Sequence, residues 1–407
     1  MSVIVHRGRF TPDDRAERFY RYLPFDVPAR AAGIRVSLEY PRDAGVIDLG
    51  CVGPEGFRGW SGGARDGFVI SAGASTPGYR DGELEAGEWS VLLGLHRVPH
   101  PIPYVVRAEA LASAPEIETL ATAAVVSRPP LRDLPAPCGM RWVAGDLHCH
   151  SVHSDGVNSP EQLAAMAVAS GLDFLAITDH NTDTHHRDLP AIGARHGITL
   201  VPGQEITTAR GHANAFGDIG WIDFRRPAAR WQSDVDERGG LLSLNHPIAD
   251  DCGWTHPLPR PPALAEVWHC SWRDHTHTGP LAWWRARGTE VVAVGGSDFH
   301  RPGDDAPLGQ PTTWVCVPEA DTGVESILDG LRSGRVAVSA NPRGPVLLRV
   351  DGELVAVDAD GCLLADLAGG RRMVRGDLAR FPAEAGPFLL EDGNRTVMSL
   401  SNDGSTP

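Results

Sequence analysis

The pattern of hydrophobic and polar positions changes once along the chain, near residue 140. Before that point, short apolar or alternating runs are interrupted by Gly, Pro and Asp, a spacing typical of a β-sandwich. The predicted strands are 33–40, 46–51, 67–71, 89–95 and 104–110. We therefore expect an all-β, sandwich-like domain over 1–111, and then a Pro- and Ala-rich linker over 112–140. Trp60 and Arg65 lie in a Gly-rich loop from which they could reach a neighbouring site.

After residue 140 the rhythm becomes strand followed by helix. Ser159-Pro-Glu-Gln forms a capping box with proline at the first helical position, and it predicts a helix over 160–169 that Gly171 ends. Further strands are predicted at 174–178, 198–201, 241–244 and 291–294, and further helices at 190–196, 281–287 and 324–333. Alternating units of this kind build a parallel α/β barrel whose active site gathers the loops after the strands. The barrel is expected over 141–341, and a small β-rich extension over 342–407.

Histidines are concentrated in this second region, where 14 of the 17 fall between residues 148 and 300. His148 and His150, two positions apart, leave a strand on the same face, and Asp298 and His300 repeat that geometry. Most of the candidate ligands stand at or just past a predicted strand end. They are His148, His150, Asp155, His180, Glu205, His212, His246, Asp298 and His300. Nine ligands exceed the needs of one tetrahedral ion and predict two or three divalent ions. A nitrogen and oxygen donor set without thiolate suits Zn, Mn or Fe, and the sequence does not rank them.

Composition narrows the choice of partners and chemistry. No apolar run reaches the roughly 18 residues of a membrane span, and the first residues lack a signal-peptide core, so we expect a cytoplasmic protein without a membrane partner. A net charge of −15 argues against nucleic-acid binding and leaves a small-molecule substrate as the expected partner. All 37 basic residues are arginine, which excludes lysine Schiff-base chemistry, a Walker-type phosphate loop and a carboxylated-lysine metal bridge. The oligomeric state is not determined by the sequence.

The order of the motifs resembles the PHP (polymerase and histidinol phosphatase) superfamily. The resemblance is carried by Asp-Leu-His148-x-His150, Ser154-Asp155-Gly, Thr178-Asp-His180, Gly-x-Glu205, Gly211-His212-x-Asn, His246-Pro and Gly296-Ser-Asp298-x-His300. Glu266-Val-Trp, the Gly-His-Ala-Asn element and the β-rich region in front are further similar to its carbaryl-hydrolase-like branch. The resemblance implies a distorted parallel (β/α)7 barrel.

The resemblance also implies a division of the ligands among three ions. A first ion would be held by His148, His150, Glu205 and Asp298. A second would be held by Asp155, His180 and His300, and Glu205 would bridge to a third held by His212 and His246. Asp146 and Asp179 stand beside ligating histidines and are expected to orient them. His269 and His277 are weaker candidates for contacts outside the ligand set.

These residues predict a metal-dependent hydrolase. Neighbouring cations would lower the pKa of a bridging water and create a hydroxide that attacks phosphorus or a carbonyl carbon. The candidate catalytic residues are Asp155, His212 and Asp298, with Arg301 or Arg210 gripping the substrate anion. A phosphoesterase acting on a small phosphorylated metabolite is the first hypothesis. The alternative is a carbamate, ester or amide hydrolase whose pocket is lined by tryptophans. A domain that binds metal without catalysis is a third possibility, and a polymerase-associated exonuclease is disfavoured by the acidic charge.

Overall fold

The computed structural model of the protein describes residues 3–117, 122–250, 252–288, 290–304 and 306–403. The chain divides into two units. The first contains Met1–Ala121 together with two short segments, Val152–Asp155 and His180–His185, and the second contains Thr122–Ser151, Gly156–Asp179 and His186–Pro407. Two predicted metal ligands, Asp155 and His180, therefore belong by their contacts to the first unit.

The first unit is built from antiparallel strands. They are β1 Val3–Phe10, β2 Tyr20–Val27, β3 Gly33–Glu39, β4 Val46–Gly53, β5 Gly56–Gly62, β6 Gly67–Ser71, β7 Gly87–Arg97 and β8 Ile102–Leu111. Four of them form a sheet in the order β1-β8-β3-β6, and the other four form a second sheet in the order β2-β7-β4-β5. Apolar side chains from both sheets pack into one core, among them Ile34, Leu49 and Val91. Helix α1, Pro12–Glu17, begins at a capping box formed by Thr11 and Asp14.

The second unit carries the remaining elements. Its strands are β9 Met140–Asp146, β10 Phe174–Ile177, β11 Thr199–Thr208, β12 Gly211–Phe216, β13 Leu241–Leu244, β14 Leu264–His269, β15 Val292–Gly296, β16 Thr312–Pro318, β17 Val336–Ser339, β18 Val346–Val350, β19 Glu353–Val357, β20 Leu363–Asp366, β21 Arg371–Met373, β22 Leu378–Pro382, β23 Phe388–Glu391 and β24 Val397–Ser401. Its helices are α2 Pro160–Ser170, α3 Leu189–His196, α4 Ala228–Glu237, α5 Gly279–Arg287 and α6 Val324–Arg332, with a short 3-10 turn over His186–Asp188. Within the described ranges, none of the helices combines the length and the apolar character that a membrane crossing requires.

Thirteen strands of the second unit form one mixed sheet in the order β15-β14-β13-β12-β11-β10-β9-β16-β17-β24-β23-β20-β21. Pairing is parallel between β9 and β10, β10 and β11, β13 and β14, and β14 and β15. It is antiparallel on both sides of β12 and between β9 and β16, which departs from the wholly parallel arrangement expected from the sequence. Strand β15 meets β16 through a side chain, because the Thr313 hydroxyl bonds both the N–H and the carbonyl of Gly295, at 2.8 and 2.9 Å. The closed seven-stranded form stays a prediction.

Several predicted elements are present with small shifts at their ends. The helix expected over 160–169 is α2, where Ser159 and Gln162 form the capping box and Gly171 ends the helix at φ 86°. The strand expected to end before Glu205 instead continues to Thr208. It is longer because its second half pairs with β12, a strand that the sequence pattern did not indicate.

Residues 122–140 of the expected linker and residues 342–403 of the extension belong to the second unit, whereas residues 112–117 belong to the first. Residues 118–121 and 404–407 lie outside the described residues. Val126, Leu134 and Ala136 pack against a core that also contains Leu163 and Trp314. The C-terminal region contributes β18 to β24, and β24 pairs with β17, so the extension continues the main sheet. A separate three-stranded sheet has the order β18-β19-β22.

Candidate metal centre

Strand ends of the second unit bring the predicted ligands together. His148 follows β9, His246 follows β13 and Asp298 follows β15, each two residues past the strand. The loops after β9 and β15 are tied by main-chain bonds, since Asp298 N–H donates to the His148 carbonyl and His150 N–H to the Phe299 carbonyl, both at 2.9 Å. These bonds place the segment His148-x-His150 beside the segment Asp298-x-His300. Parallel strands bring their carboxyl ends to the same edge in this way.

The first predicted ligand set is assembled at this point. His148 Nε2 lies 3.3 Å from Glu205 Oε1 and 3.2 Å from Asp298 Oδ1, and His150 Nε2 lies 3.0 Å from the same Asp298 oxygen. All of the donors except Asp298 are fully buried. His148 Nε2 makes no hydrogen bond within the described part of the chain, although two carboxylate oxygens face it. A buried lone pair surrounded by carboxylates is the arrangement that a divalent cation satisfies, so these residues fit a metal ion.

Glu205 also faces a second group of ligands. Its Oε1 lies 3.1 Å from His212 Nδ1 and 3.5 Å from His246 Nε2, and its Oε2 lies 3.8 Å from His150 Nε2. The carboxylate is held in place by Asn245 Nδ2, which donates to Oε1 at 2.7 Å. One carboxylate therefore stands between two sets of imidazoles, which is the geometry of a bridging ligand.

The residues predicted for the second ion are found in both units. Asp155 Oδ1 and His180 Nε2 lie 3.6 Å apart in the first unit. In the second unit the rings of His150 and His300 stack with centroids 4.2 Å apart, and His300 Nδ1 donates to the Asp298 carbonyl at 2.7 Å. His150, Asp155, His180 and His300 each offer one atom to a group that could hold a metal ion. The assignment of these residues to one ion stays a prediction.

A carboxylate that was not among the expected orienting residues contacts two of the predicted ligands. Glu266 Oε1 accepts from His148 Nδ1 at 2.7 Å and its Oε2 accepts from the His246 main-chain N–H at 3.0 Å, so this buried carboxylate fixes two ligands. Asp146 orients His148 through the main chain, accepting its N–H at 3.1 Å, and Asp179 accepts from the main-chain N–H and hydroxyl of Ser151 at 2.8 and 2.6 Å. In the sequence, Glu266 is a lone acid inside an otherwise apolar strand. That pattern indicates a buried carboxylate but does not identify the histidines that it contacts.

Electrostatics at the centre are dominated by paired charges. Burial by itself would lower the pKa of His148, but the carboxylates of Glu266, Asp298 and Glu205 raise that pKa well above its usual range. Burial would likewise raise the pKa of Asp298, but His148 and hydrogen bonds from neighbouring imidazoles hold it well below its usual range. Asp298, and Glu266, whose pKa burial would raise but His148 lowers as well, thus stay negative in a buried site, which favours a cation there.

Two of the ligands have strained backbones. His246 has φ 29° and Asp298 has φ 54°, in the left-handed region that non-glycine residues seldom occupy. Such conformations persist only where surrounding structure holds them, and they are found at functional sites.

The two arginines predicted to bind substrate lie in different surroundings. Arg210 donates to the Thr255 carbonyl at 2.9 Å, so its guanidinium already supports a neighbouring loop. Arg301 is 59% exposed, and its Nε lies 3.8 Å from Asp304 Oδ1. A role in substrate binding stays a prediction for both.

A cavity of about 180 Å³ adjoins the centre in the second unit. It is bordered by His246 and His269 on the side of the ligands, and by Trp272, His277 and Pro247 elsewhere. Trp268 and Trp272 line a further cavity beside His269, whereas Trp284 is buried in the protein interior. The cavity of about 180 Å³ therefore combines imidazole groups with an apolar wall.

The region that contains many of these residues is similar to known proteins. Residues 146–245 match the profile of the PHP domain. The match covers about a quarter of the chain. The chain is 44% identical over 63 residues to a 5'-3' exoribonuclease of Haemophilus influenzae, covering 16% of this chain and 23% of that protein. It is 36% identical over 66 residues to a 3',5'-nucleoside bisphosphate phosphatase of Chromobacterium violaceum, again covering 16% of this chain and 23% of the relative.

A solved structure is similar over a longer stretch. It is a two-domain protein from Bacteroides vulgatus that contains a predicted PHP-like metal-dependent phosphoesterase, with 19% identity and a TM-score of 0.43. The match covers 68% of this chain and 91% of that one. By contrast, this chain spans about a quarter of the length of the two sequence relatives above.

Proposed function

We propose that the protein is a metal-dependent phosphoesterase that acts on a small phosphorylated metabolite. The observation that carries the proposal is the buried His148 Nε2, which has no hydrogen bond within the described residues and faces carboxylate oxygens of Glu205 and Asp298. Such an arrangement suits metal binding, and the stretch that matches the PHP domain profile, residues 146–245, includes His148 and Glu205. Two or three ions, of Zn, Mn or Fe, would occupy the ligand sets.

In this proposal, some residues bind the ions and others orient those ligands. His148, His150, Glu205 and Asp298 would hold one ion, and Glu205 with His212 and His246 would hold another. Glu266 accepts the Nδ1 proton of His148, so the Nε2 lone pair points toward the ion. A bound divalent ion supplies a Lewis acid and lowers the pKa of coordinated water. Asn245 keeps the Glu205 carboxylate in position through its 2.7 Å bond.

A small substrate is favoured over a polymer by charge. The net charge of −15 repels a polyanion, and its cost grows with the number of phosphates. The relatives that are named for phosphate ester chemistry support a phosphorus centre. They include a phosphoribosyl 1,2-cyclic phosphate 1,2-diphosphodiesterase of Eggerthella lenta, which is 37% identical over 62 residues, covering 15% of this chain and 24% of that protein.

Carbamate, ester or amide hydrolysis is the second candidate, in keeping with the resemblance to the carbaryl-hydrolase-like branch. It is favoured by the apolar wall of the cavity, where Trp272 and Pro247 lie beside His246. Such a wall suits an aryl leaving group as well as it suits the organic part of a phosphate ester.

The deciding experiment compares substrates on metal-loaded protein. The panel is p-nitrophenyl phosphate, a bis-ester phosphate, a nucleoside 3',5'-bisphosphate, a 5'-phosphorylated RNA oligomer and a naphthyl carbamate. We expect turnover of a small phosphate ester that is lost in His148→Asn and retained in the exposed control His100→Gln. Turnover of the carbamate alone would replace the phosphoesterase assignment, and preference for the RNA oligomer would overturn the small-metabolite assignment.

A further inference from the structure

His269 reaches the metal centre because of an irregularity in its strand. Strand β14 pairs Glu266 with Val294 but Trp268 with Gly295, so Val267 is an extra residue without a partner of its own. A regular strand would point residues 266 and 269 to opposite faces. The bulge reverses the alternation, and both side chains face the ligands. Bulges of this kind re-aim side chains beside active sites.

The imidazole of His269 lies against two predicted ligands. Its ring centroid is 4.7 Å from that of His246, and its Nε2 is 3.5 Å from Asp298 Oδ2. The other oxygen of Asp298 is the one that faces His148 and His150, at 3.2 and 3.0 Å. The two oxygens of Asp298 therefore have different partners.

The hydrogen bonds of His269 determine which nitrogen carries a proton. The Ser271 main-chain N–H donates to His269 Nδ1 at 3.1 Å. A backbone N–H can only donate, so the neutral ring offers a lone pair at Nδ1 and carries its proton at Nε2. The protonated ring carries a proton at Nε2 as well. In both states the atom facing Asp298 is a donor, whereas a metal ligand needs a free lone pair there.

We propose that His269 is a positioning residue, whose Nε2–H holds Asp298 Oδ2 so that Oδ1 is presented to the ion bound by His148 and His150. This inference rests on the proposed metal site. The competing assignment is that His269 is itself a ligand, because its ring nitrogen, His246 and Asp298 Oδ2 lie close enough to share an ion. Asp298 needs such support because its backbone occupies the left-handed region at φ 54°.

The test measures metal binding by the full chain. Protein is stripped with a chelator and reloaded with Co²⁺ or Zn²⁺. Bound metal is counted by mass spectrometry, and affinity is measured by competition with a chromophoric chelator. His269→Gln can keep an N–H near the Nε2 position, His269→Leu removes it at similar volume, and His275→Gln is the control on the same loop. Circular dichroism and thermal melts of the stripped proteins verify that each variant folds.

We expect His269→Leu to weaken binding of one ion by about 10- to 100-fold while the count at saturation is unchanged. His269→Gln should stay within a few-fold of the parent, and its Co²⁺ absorption should keep the parent's shape. Loss of one ion per chain at saturation in both variants, with an altered Co²⁺ spectrum, would make His269 a ligand and overturn the proposal. Parent-like affinity in His269→Leu would also overturn it.

The role of His269 in metal binding and the proposed phosphoesterase activity can fail independently. If the parent binds metal but hydrolyses none of the phosphate esters, the proposed activity fails while the positioning role is still measured. If the parent binds no metal, both the proposed metal site and the positioning role of His269 are wrong.

Discussion

Arg65 donates through Nη1 to the main-chain oxygen of Ser154 at 2.9 Å, and through Nη2 to that of Val152. All three residues belong to the first unit, although Ser154 is 89 positions further along the chain. Ser154 immediately precedes Asp155, which lies 3.6 Å from His180 in the same unit. Arg80 holds the neighbouring segment through Asp183, with contacts of 2.8 and 3.0 Å. The β-rich region thus positions two of the predicted metal ligands.

Replacing Arg65 should loosen the segment that carries Asp155. Arg65→Met keeps the aliphatic stem but removes two charged hydrogen bonds, each worth about 1.5–3 kcal/mol. We expect faster amide hydrogen exchange over 152–157 and a lower metal content at saturation. Arg35→Met is the matched control, because the side-chain contact of Arg35 among the described residues is an exposed 3.8 Å pair with Glu109. Equal exchange in both variants would contradict a positioning role for Arg65.

Glu266→Gln should weaken metal binding without removing a ligand. The amide group keeps one acceptor but places an N–H against either His148 Nδ1 or the His246 N–H, both of which donate to Glu266. We expect affinity to fall by about 10- to 100-fold, the range found for groups that orient ligating histidines. Competition with a chromophoric chelator measures it. Glu237→Gln on the exposed face of α4 is the control and should match the parent protein.

His256 should make the protein less stable in acid. Burial lowers the pKa of His256 from 6.5 to about 4, and the charges of Arg210 and His212 act in the same direction. Between these values the unfolded chain binds a proton that the folded chain does not, so the free energy of unfolding falls as pH drops from 6.5 to 4. At about 1.4 kcal/mol per pKa unit, the loss is roughly 3 kcal/mol at most.

The measurement is urea unfolding of chelator-treated protein at pH 7 and pH 4.5. His256→Gln keeps a polar group for Thr208, whose hydroxyl lies 2.8 Å from His256 Nε2, but it does not titrate. Its free energy of unfolding should depend less on pH than that of the parent. The exposed His100→Gln should behave as the parent does. An unchanged pH dependence in His256→Gln would show that other groups account for the acid sensitivity.

Replacing each of the two candidate arginines, Arg301 and Arg210, should have a different effect on KM. Arg301→Ala is expected to raise KM for a phosphate ester about tenfold or more, since a charged hydrogen bond is worth about 1.5–3 kcal/mol. Arg210→Ala should change KM little, because its guanidinium is engaged by the Thr255 carbonyl. Steady-state assays on metal-loaded protein measure both values. The reverse order of effects would assign the anion contact to Arg210.

Added metal should stabilise the parent by mass action. A ligand at 100 times its Kd contributes about 2.7 kcal/mol to the free energy of unfolding. Thermal melts at increasing Zn²⁺ or Mn²⁺ concentration should therefore show a rising Tm for the parent and a smaller rise for Asp298→Asn. A Tm that is independent of metal in the parent would count against the whole centre.

Local signals in the sequence predicted several elements of the fold and the candidate ligands. Helix α2 follows from Ser159, Gln162 and Gly171, which act on their own helix within a few residues. The pair His148 and His150 follows from the period of a strand. Both are decided by near neighbours along the chain, so a single sequence is enough to predict them.

Tertiary structure alone decided the contacts between distant segments. Glu266 meets His148 across 118 positions, and no local periodicity connects the two. His269 faces the centre because β14 bulges against β15, and that register depends on pairing with a second strand. Asp155 and His180 are found with the first unit because contacts such as those of Arg65 and Arg80 are made only after folding. Local propensity sets where a strand ends, whereas packing over long separations selects the side chains that meet there.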